Sequence, residues 1–272
     1  MNKAIYETIE ESCNVLQLPF SSREFAELAE DNDMSEEAAN AVALILEHIR
    51  QKKVANTIMA LLRFSRLSLK NPKTFQNFDF SVLRGKNVEQ IRSLQTLSAI
   101  YAHKNLAFIG PAGTGKTHLA KAFGYECCNH GLRTYFIKMS ELRDRFTAAR
   151  RTGKTASVLN SLVRPSCLII DEVGNCEFDK ENTRLFFDLV DRRYNKEGSY
   201  NIVFTSNKNP SEWRGNFNED DALLCALDRI FDTATVITIK GNSFRGSNCE
   251  TISVQTTRVN APTPTVIPPR SI

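Results

Sequence analysis

The sequence predicts an α/β chain: a mostly parallel sheet flanked by helices, preceded by a small all-α N-terminal domain. Two patterns carry that expectation. From about residue 85 onward, short apolar runs alternate with helical stretches, the arrangement that stacks parallel strands beneath covering helices. Before it, from Ala4 to about Leu69, apolar residues recur at spacings of three and four. The length of 272 residues, 42% of them apolar and 24% charged, suits one large α/β unit with a smaller appendage.

Taken in order, "VLQLPFSSREFAELAED" reads as two helices broken at Pro19, with Ser21 or Ser22 as a cap and Glu24 near the first turn. "EEAANAVALILEHIRQKKVANTIMALLRFSRL" continues as helix. "KNPKTFQNFDF" breaks the pattern with Asn71-Pro72 and three phenylalanines, and reads as a linker. "NLAFIG" is then a strand entering a glycine loop, and "THLAKAFGYECCNH" the helix after it. "RTYFIK" is a strand, and "SELRDRFTAARR" a helix expected to open on a Ser140 cap. "CLIIDEV" is a buried strand, followed by the long amphipathic helix "DKENTRLFFDLVDRRYNKEG" with a glycine stop. "YNIVFTSN" and "TATVITIKG" are strands separated by the helix "EDDALLCALDRIFD". The Pro- and Thr-rich end, "TTRVNAPTPTVIPPRSI", is expected to be disordered. The expected divisions are a helical domain over 1–70, a linker over 71–84, the α/β domain over 85–248 and a tail over 249–272.

No apolar run approaches the roughly 18 residues that span a bilayer, and the opening "MNKAIYETIEES" lacks a signal-peptide core. A cytoplasmic protein with no membrane partner is expected. Its seven cysteines never take a C-x-x-C spacing and read as reduced thiols. Net charge is +4 but uneven: residues 1–50 carry three basic and eleven acidic side chains, residues 51–104 ten basic and two acidic. The second block offers a surface to an anionic polymer, unless the two blocks simply face each other or solvent.

Gly110, Pro111, Ala112, Gly113, Thr114, Gly115, Lys116 and Thr117 match G-x-x-x-x-G-K-[ST] in full, between a strand and a helix. Glycines let the backbone wrap phosphates while N–H groups at the helix start point inward. Lys116 is placed to reach the outer phosphates and Thr117 to ligate magnesium, with His118 beside them as a further nucleotide contact. "CLIIDEV" delivers Asp171 to the sheet edge as a second magnesium ligand, and Glu172 as a base for the attacking water. A kinase excludes water, whereas this pair prepares it. A guanine site would need N-K-x-D, but "NKNP" puts Pro210 where the aspartate belongs. ATP hydrolysis with magnesium is therefore expected.

In order and spacing, "GPAGTGKTHLA", "LIIDEVG", "FTSNKNPSEW", "LDRIFD" and "IKGNSFR" resemble the AAA+ ATPase superfamily, and within it the IstB-like helpers of insertion-sequence transposition. That family is similar to the helicase loader DnaC and the initiator DnaA. The resemblance spans roughly residues 10–246 and implies a AAA+ P-loop NTPase domain. It implies further roles: Asn207 as the polar sensor that orients water, Arg229 as an arginine finger reaching a neighbouring subunit's ATP, and Arg245 as the second sensor near the γ-phosphate. Without the other motifs, Asn207 would read as a turn former and Arg229 as half of a surface Asp228–Arg229 pair.

The family also implies self-association into an ATP-bound oligomer on duplex DNA, with a transposase as partner. "SELRDRFTAARRTGKTAS" supplies a matching cationic stretch in Arg143, Arg145, Arg150, Arg151 and Lys154, placed for contacts to phosphates rather than bases. The plain alternative is a solvated helix face. Lys52, Lys53, Arg63 and Arg66 form a second cationic group. A DnaC-like loader of a replicative helicase is the alternative function, and a scaffold that binds ATP without hydrolysing it is a third reading that Glu172, Asn207 and Arg229 together oppose.

Overall fold

Five parallel strands form the spine of the protein in the order β2-β3-β4-β1-β5. The computed structural model describes residues 3–241 other than 86, 199, 219 and 233. Three helices come first: α1 (Lys3–Leu16), α2 (Ser22–Asp31) and α3 (Glu36–Ser65). Two short helices, α4 (Val88–Arg92) and α5 (Ser98–Tyr101), lead into β1 (Asn105–Ile109), α6 (Lys116–Asn129), β2 (Thr134–Lys138), α7 (Met139–Thr152) and α8 (Thr155–Val163). β3 (Cys167–Val173), α9 (Lys180–Tyr194), β4 (Asn201–Ser206), α10 (Asp220–Asp232) and β5 (Ala234–Thr238) complete the described chain. No helix among the described residues is long and apolar enough to cross a membrane.

The central strands read as continuous apolar runs because helices cover both faces of the sheet. Successive side chains alternate between the two layers. Leu168 and Ile170 of β3 join Ile109, Phe146 and Phe186 on one face, while Cys167 and Ile169 join Phe108, Leu119 and Phe123 on the other. The parallel α/β class read from the sequence is the one observed.

The first three helices have a small core of their own, in which Ile5, Ile9, Phe25, Ala39 and Ala43 are buried. Of the two serines that the sequence offers as caps, Ser21 caps α2: its hydroxyl accepts the Glu24 N–H at 3.2 Å, and Glu24 Oε2 accepts the Ser21 N–H at 2.8 Å. Helix α3 belongs to both bodies. Its last turn brings Leu62 against the second layer, and Leu67 just beyond is buried there. The stretch expected as linker also packs inward, with Phe75 and Phe78 buried in that layer.

Three local expectations need correcting. Ser140 lies inside the first turn of α7, whose N-cap is Lys138 with no side-chain hydrogen bond. Helix α9 stops at Tyr194, four residues short of Gly198. Helices α4, α5 and α8 were not foreseen.

Arg193, on what the sequence presents as an ordinary amphipathic helix, is 2% exposed. Its guanidinium donates to the carbonyls of Leu162 (3.0 Å), Val163 (3.2 Å), Pro165 (2.9 Å) and Asn201 (2.7 Å). It thus gathers the negative end of α8 and the approaches to β3 and β4. Burial pushes its pKa down to about 10. Arg193→Met is expected to destabilise the fold by about 3 kcal/mol or more, since each orphaned buried carbonyl costs about 1–3 kcal/mol. Urea unfolding tests this, as a lowered midpoint at unchanged slope. A midpoint equal to the parent's would show that the arginine carries no such load.

Candidate nucleotide site

The glycine loop leaves β1 at Ile109 and enters α6 at Lys116. A Cβ on Gly110 would lie 2.1 Å from the Ile239 carbonyl oxygen, so only glycine fits that crossing. Gly115 has φ +91°, and a Cβ there would lie 2.8 Å from the Phe78 ring. Thr114 Oγ1 donates to the Pro111 carbonyl at 2.9 Å, folding the loop on itself. Lys116 Nζ donates to the same carbonyl at 2.6 Å, so its ammonium lies across the hollow that the loop encloses.

Opposite the loop, a run of oxygens converges on Asp171. Its carboxylate is 2% exposed and accepts from Thr117 Oγ1 at 2.8 Å and from Thr205 Oγ1 at 2.5 Å. Thr205 Oγ1 in turn accepts the Glu172 N–H at 3.1 Å. The β3–β4 register shifts between Ile170 and Val173, and Glu172 sits in that irregularity with φ 62°. A non-glycine residue in the left-handed region is uncommon and costs of order 1 kcal/mol or more. Here it turns the side chains of Asp171 and Glu172 in different directions: the first is buried against α6, while the second is 43% exposed and lies 3.3 Å from Lys138 Nζ. That ion pair is open to solvent and holds Glu172 only loosely.

A cleft of about 400 Å³ lies between these groups, lined among others by Gly113, Lys116, Thr117, Glu172 and Asn207. Asn207 follows β4 directly and lines the same cleft as Glu172. His118 lines the cleft as well and is half-buried, and its Nε2–H donates to the Thr74 carbonyl at 2.9 Å. A carbonyl can only accept, so Nε2 carries the proton. Burial pushes this imidazole below its ordinary pKa; the Thr74 carbonyl opposes that shift and the Lys73 charge adds to it.

Arg229 lies elsewhere. The neighbouring Ile230 carbonyl accepts from Asn105 at the start of β1, whereas the loop leaves that strand's other end. Five strand residues separate the two, roughly 16 Å. Arg229 pairs with Asp191 at 3.1 Å and lies over the Phe187 ring at 5.2 Å. Arg245 falls outside the described residues.

The five cations proposed for DNA are not equivalent. Arg151 and Lys154 are exposed. Arg143 pairs with its neighbour Asp144 at 2.8 Å, and Arg145 donates to Tyr135 Oη and Ser161 Oγ at 2.9 and 3.0 Å. Arg150 is turned onto Asp179 at 2.8 Å and onto Glu181, at the start of α9. The stretch thus divides into two exposed cations and three that are bonded to neighbours, and the fold brings to the site Thr205, Lys138 and Thr74, to which the sequence alone assigns no role.

The donors around Asp171 suit magnesium: a carboxylate and two hydroxyls within hydrogen-bonding reach are hard oxygen ligands.

Comparison with known proteins gives a consistent result. The family described as IstB-like ATP binding protein matches residues 14–251. A protein named for insertion sequence IS5376 of Geobacillus stearothermophilus is 35% identical over 243 residues, 88% of this chain and 94% of its own. Another, named for insertion sequence IS232 of Bacillus thuringiensis, is 35% identical over 173 residues, covering 64% of this chain and 68% of its own. Among solved structures, AMPPCP-bound DnaA from Aquifex aeolicus superposes with a TM-score of 0.51 at 22% identity, over 63% of this chain and 51% of that one. That likeness concerns the fold: a parallel sheet whose first strand runs through a glycine loop into a helix.

Proposed function

We propose that this chain, which belongs to the family of IstB-like ATP binding proteins, is an ATP-hydrolysing, DNA-binding helper of transposition. It assembles on target DNA and regulates or recruits a partner transposase through ATP binding and hydrolysis. The observation that carries the reading is the division of labour at the end of β3, with Asp171 buried and bonded to Thr117 while Glu172 faces the open cleft.

Each residue then has a task. N–H groups of the loop and of the first turn of α6 hold the phosphates, and Lys116 leaves the Pro111 carbonyl to meet their outer oxygens. Thr117 and Asp171 would hold magnesium, which when bound neutralises phosphate charge. Glu172 accepts the proton of a water whose oxygen attacks the γ-phosphorus; the bond to the bridging oxygen breaks, and ADP and phosphate leave. Asn207 orients that water. The position of Arg229 at the far end of β1 from its own loop supports a task at the site of an adjacent subunit, with turnover that depends on assembly.

The DNA contacts are to phosphates. Affinity for duplex DNA is expected to fall linearly with log salt at about −0.9 per phosphate neutralised, with little preference among sequences. Replacing both Arg151 and Lys154 by alanine should reduce that slope by about two, because these cations are free to engage. Filter binding of several unrelated duplexes across a salt series measures both quantities. An affinity indifferent to salt, or one confined to a single short motif, would contradict the DNA part of the proposal. DNA-stimulated turnover that rises further with a transposase, and not with a replicative helicase, separates this reading from a helicase loader.

A further inference from the structure

We infer that Lys73 is a nucleotide ligand, supplied by the chain between the helical segment and the sheet, and that it binds the inner part of the phosphate chain. The inference rests on the nucleotide reading above. It starts from how residues 67–78 lie. This segment runs along α6 from Tyr125 back to the helix start. Leu67 packs beside Gly124, and the Tyr125 hydroxyl donates to the Ser68 carbonyl. At the other end the Thr74 carbonyl accepts from His118, and the Phe78 ring sits edge-on to His118 at 5.1 Å and against Gly115.

Lys73 is held between fixed points. Asn77 Nδ2 donates to the Pro72 carbonyl at 2.6 Å, and Asn77 Oδ1 accepts the Thr74 N–H at 2.9 Å. Thr74 Oγ1 accepts the Asn77 N–H at 3.3 Å. These bonds and the Pro72 ring set the backbone on both sides of Lys73, whose side chain lines the same cleft as Gly113, Lys116 and Thr117. Lys121, the other cation at this end, lies over the Phe136 ring at 4.3 Å.

The side of α6 that the turn approaches decides which phosphates Lys73 meets. Lys116 and Thr117 face the outer phosphates and Asp171. His118, the next residue, is turned about 100° around the helix from Thr117, onto the Thr74 carbonyl and the Phe78 ring, and the 72–78 turn is fastened to it there. An ammonium delivered there meets the phosphate nearest the ribose, which ATP and ADP share. Nothing in the loop motif itself points to this residue.

Equilibrium binding of fluorescent ATP and ADP to the full chain tests the inference, using Lys73→Ala, Lys73→Glu and Lys73→Arg. Lys73→Ala is expected to weaken both nucleotides about 5-fold, Lys73→Glu about 10-fold or more, and Lys73→Arg hardly at all, in line with a partly exposed charge-assisted hydrogen bond. The ratio of ATP to ADP affinity should stay that of the parent, with the circular dichroism spectrum unchanged. Parent-like ADP binding by Lys73→Glu, while Lys116→Ala loses both nucleotides, overturns the inference and leaves the nucleotide site standing. Loss confined to ATP overturns the placement at the inner phosphate. Retention of both nucleotides by Lys116→Ala removes the nucleotide reading and this inference together.

Discussion

Glu172→Gln is expected to lower kcat for ATP hydrolysis by about 10²–10⁴ while leaving nucleotide affinity close to the parent's, the range for a positioned general base. The geometry separates the two effects. Glu172 sits at the open cleft in a left-handed backbone conformation, whereas the proposed metal position and the phosphate cradle are built from Thr117, Asp171 and the loop. Glutamine keeps the size and the hydrogen bond from the backbone N–H to Thr205, and it removes only the proton acceptor. The lost ion pair to Lys138 is solvent-exposed and contributes about 1 kcal/mol or less, so the fold should be intact. Phosphate release at saturating ATP and DNA, alongside fluorescent-nucleotide binding, measures both. Turnover within three-fold of the parent would assign the base elsewhere.

Arg229→Ala is expected to cost about 10³ or more in the rate of the assembled protein, the magnitude for an arginine supplied across an interface. Here too binding should survive. Arg229 is roughly a strand's length from its own loop, and its contacts to Asp191 and Phe187 lie on the α9–α10 surface. Those contacts are about one-third exposed, so their removal should leave the fold nearly unaltered. Single-turnover hydrolysis at a protein concentration that supports assembly separates loss of chemistry from loss of nucleotide. An undiminished rate would make Arg229 the surface partner of Asp191 and no more.

Contiguous features were legible in the sequence. The glycine loop is eight consecutive residues with fixed chemistry, and the buried run ending in Asp171 announces a strand edge by its own composition. A serine cap at Ser21 or Ser22 was legible for the same reason, and the bonds to Glu24 select Ser21. Features made by distant segments were not. Thr205 reaches Asp171 from the neighbouring strand, Thr74 meets His118 from a segment more than forty residues earlier in the sequence, and Lys138 meets Glu172 only because β2 and β3 are in register at Lys138 and Asp171. Arg193 was indistinguishable from any charge on an amphipathic helix until the ends of α8, β3 and β4 brought their carbonyls together around it. The same limit applied to the cationic stretch of α7, where Asp179 and Glu181 of another helix take up Arg150. Helix α8 went unread because "TASVLNSLV" lacks charged residues to mark its solvent face.

The most direct test mixes two inactive proteins. Arg229→Ala keeps its own Glu172, and Glu172→Gln keeps its own Arg229, so an interface between them restores one complete site. Co-assembled mixtures on duplex DNA are predicted to hydrolyse ATP well above either variant alone, with a maximum near equal proportions. Mixtures shown by crosslinking to contain both chains, yet no more active than the variants apart, would contradict a nucleotide site completed by the neighbouring subunit.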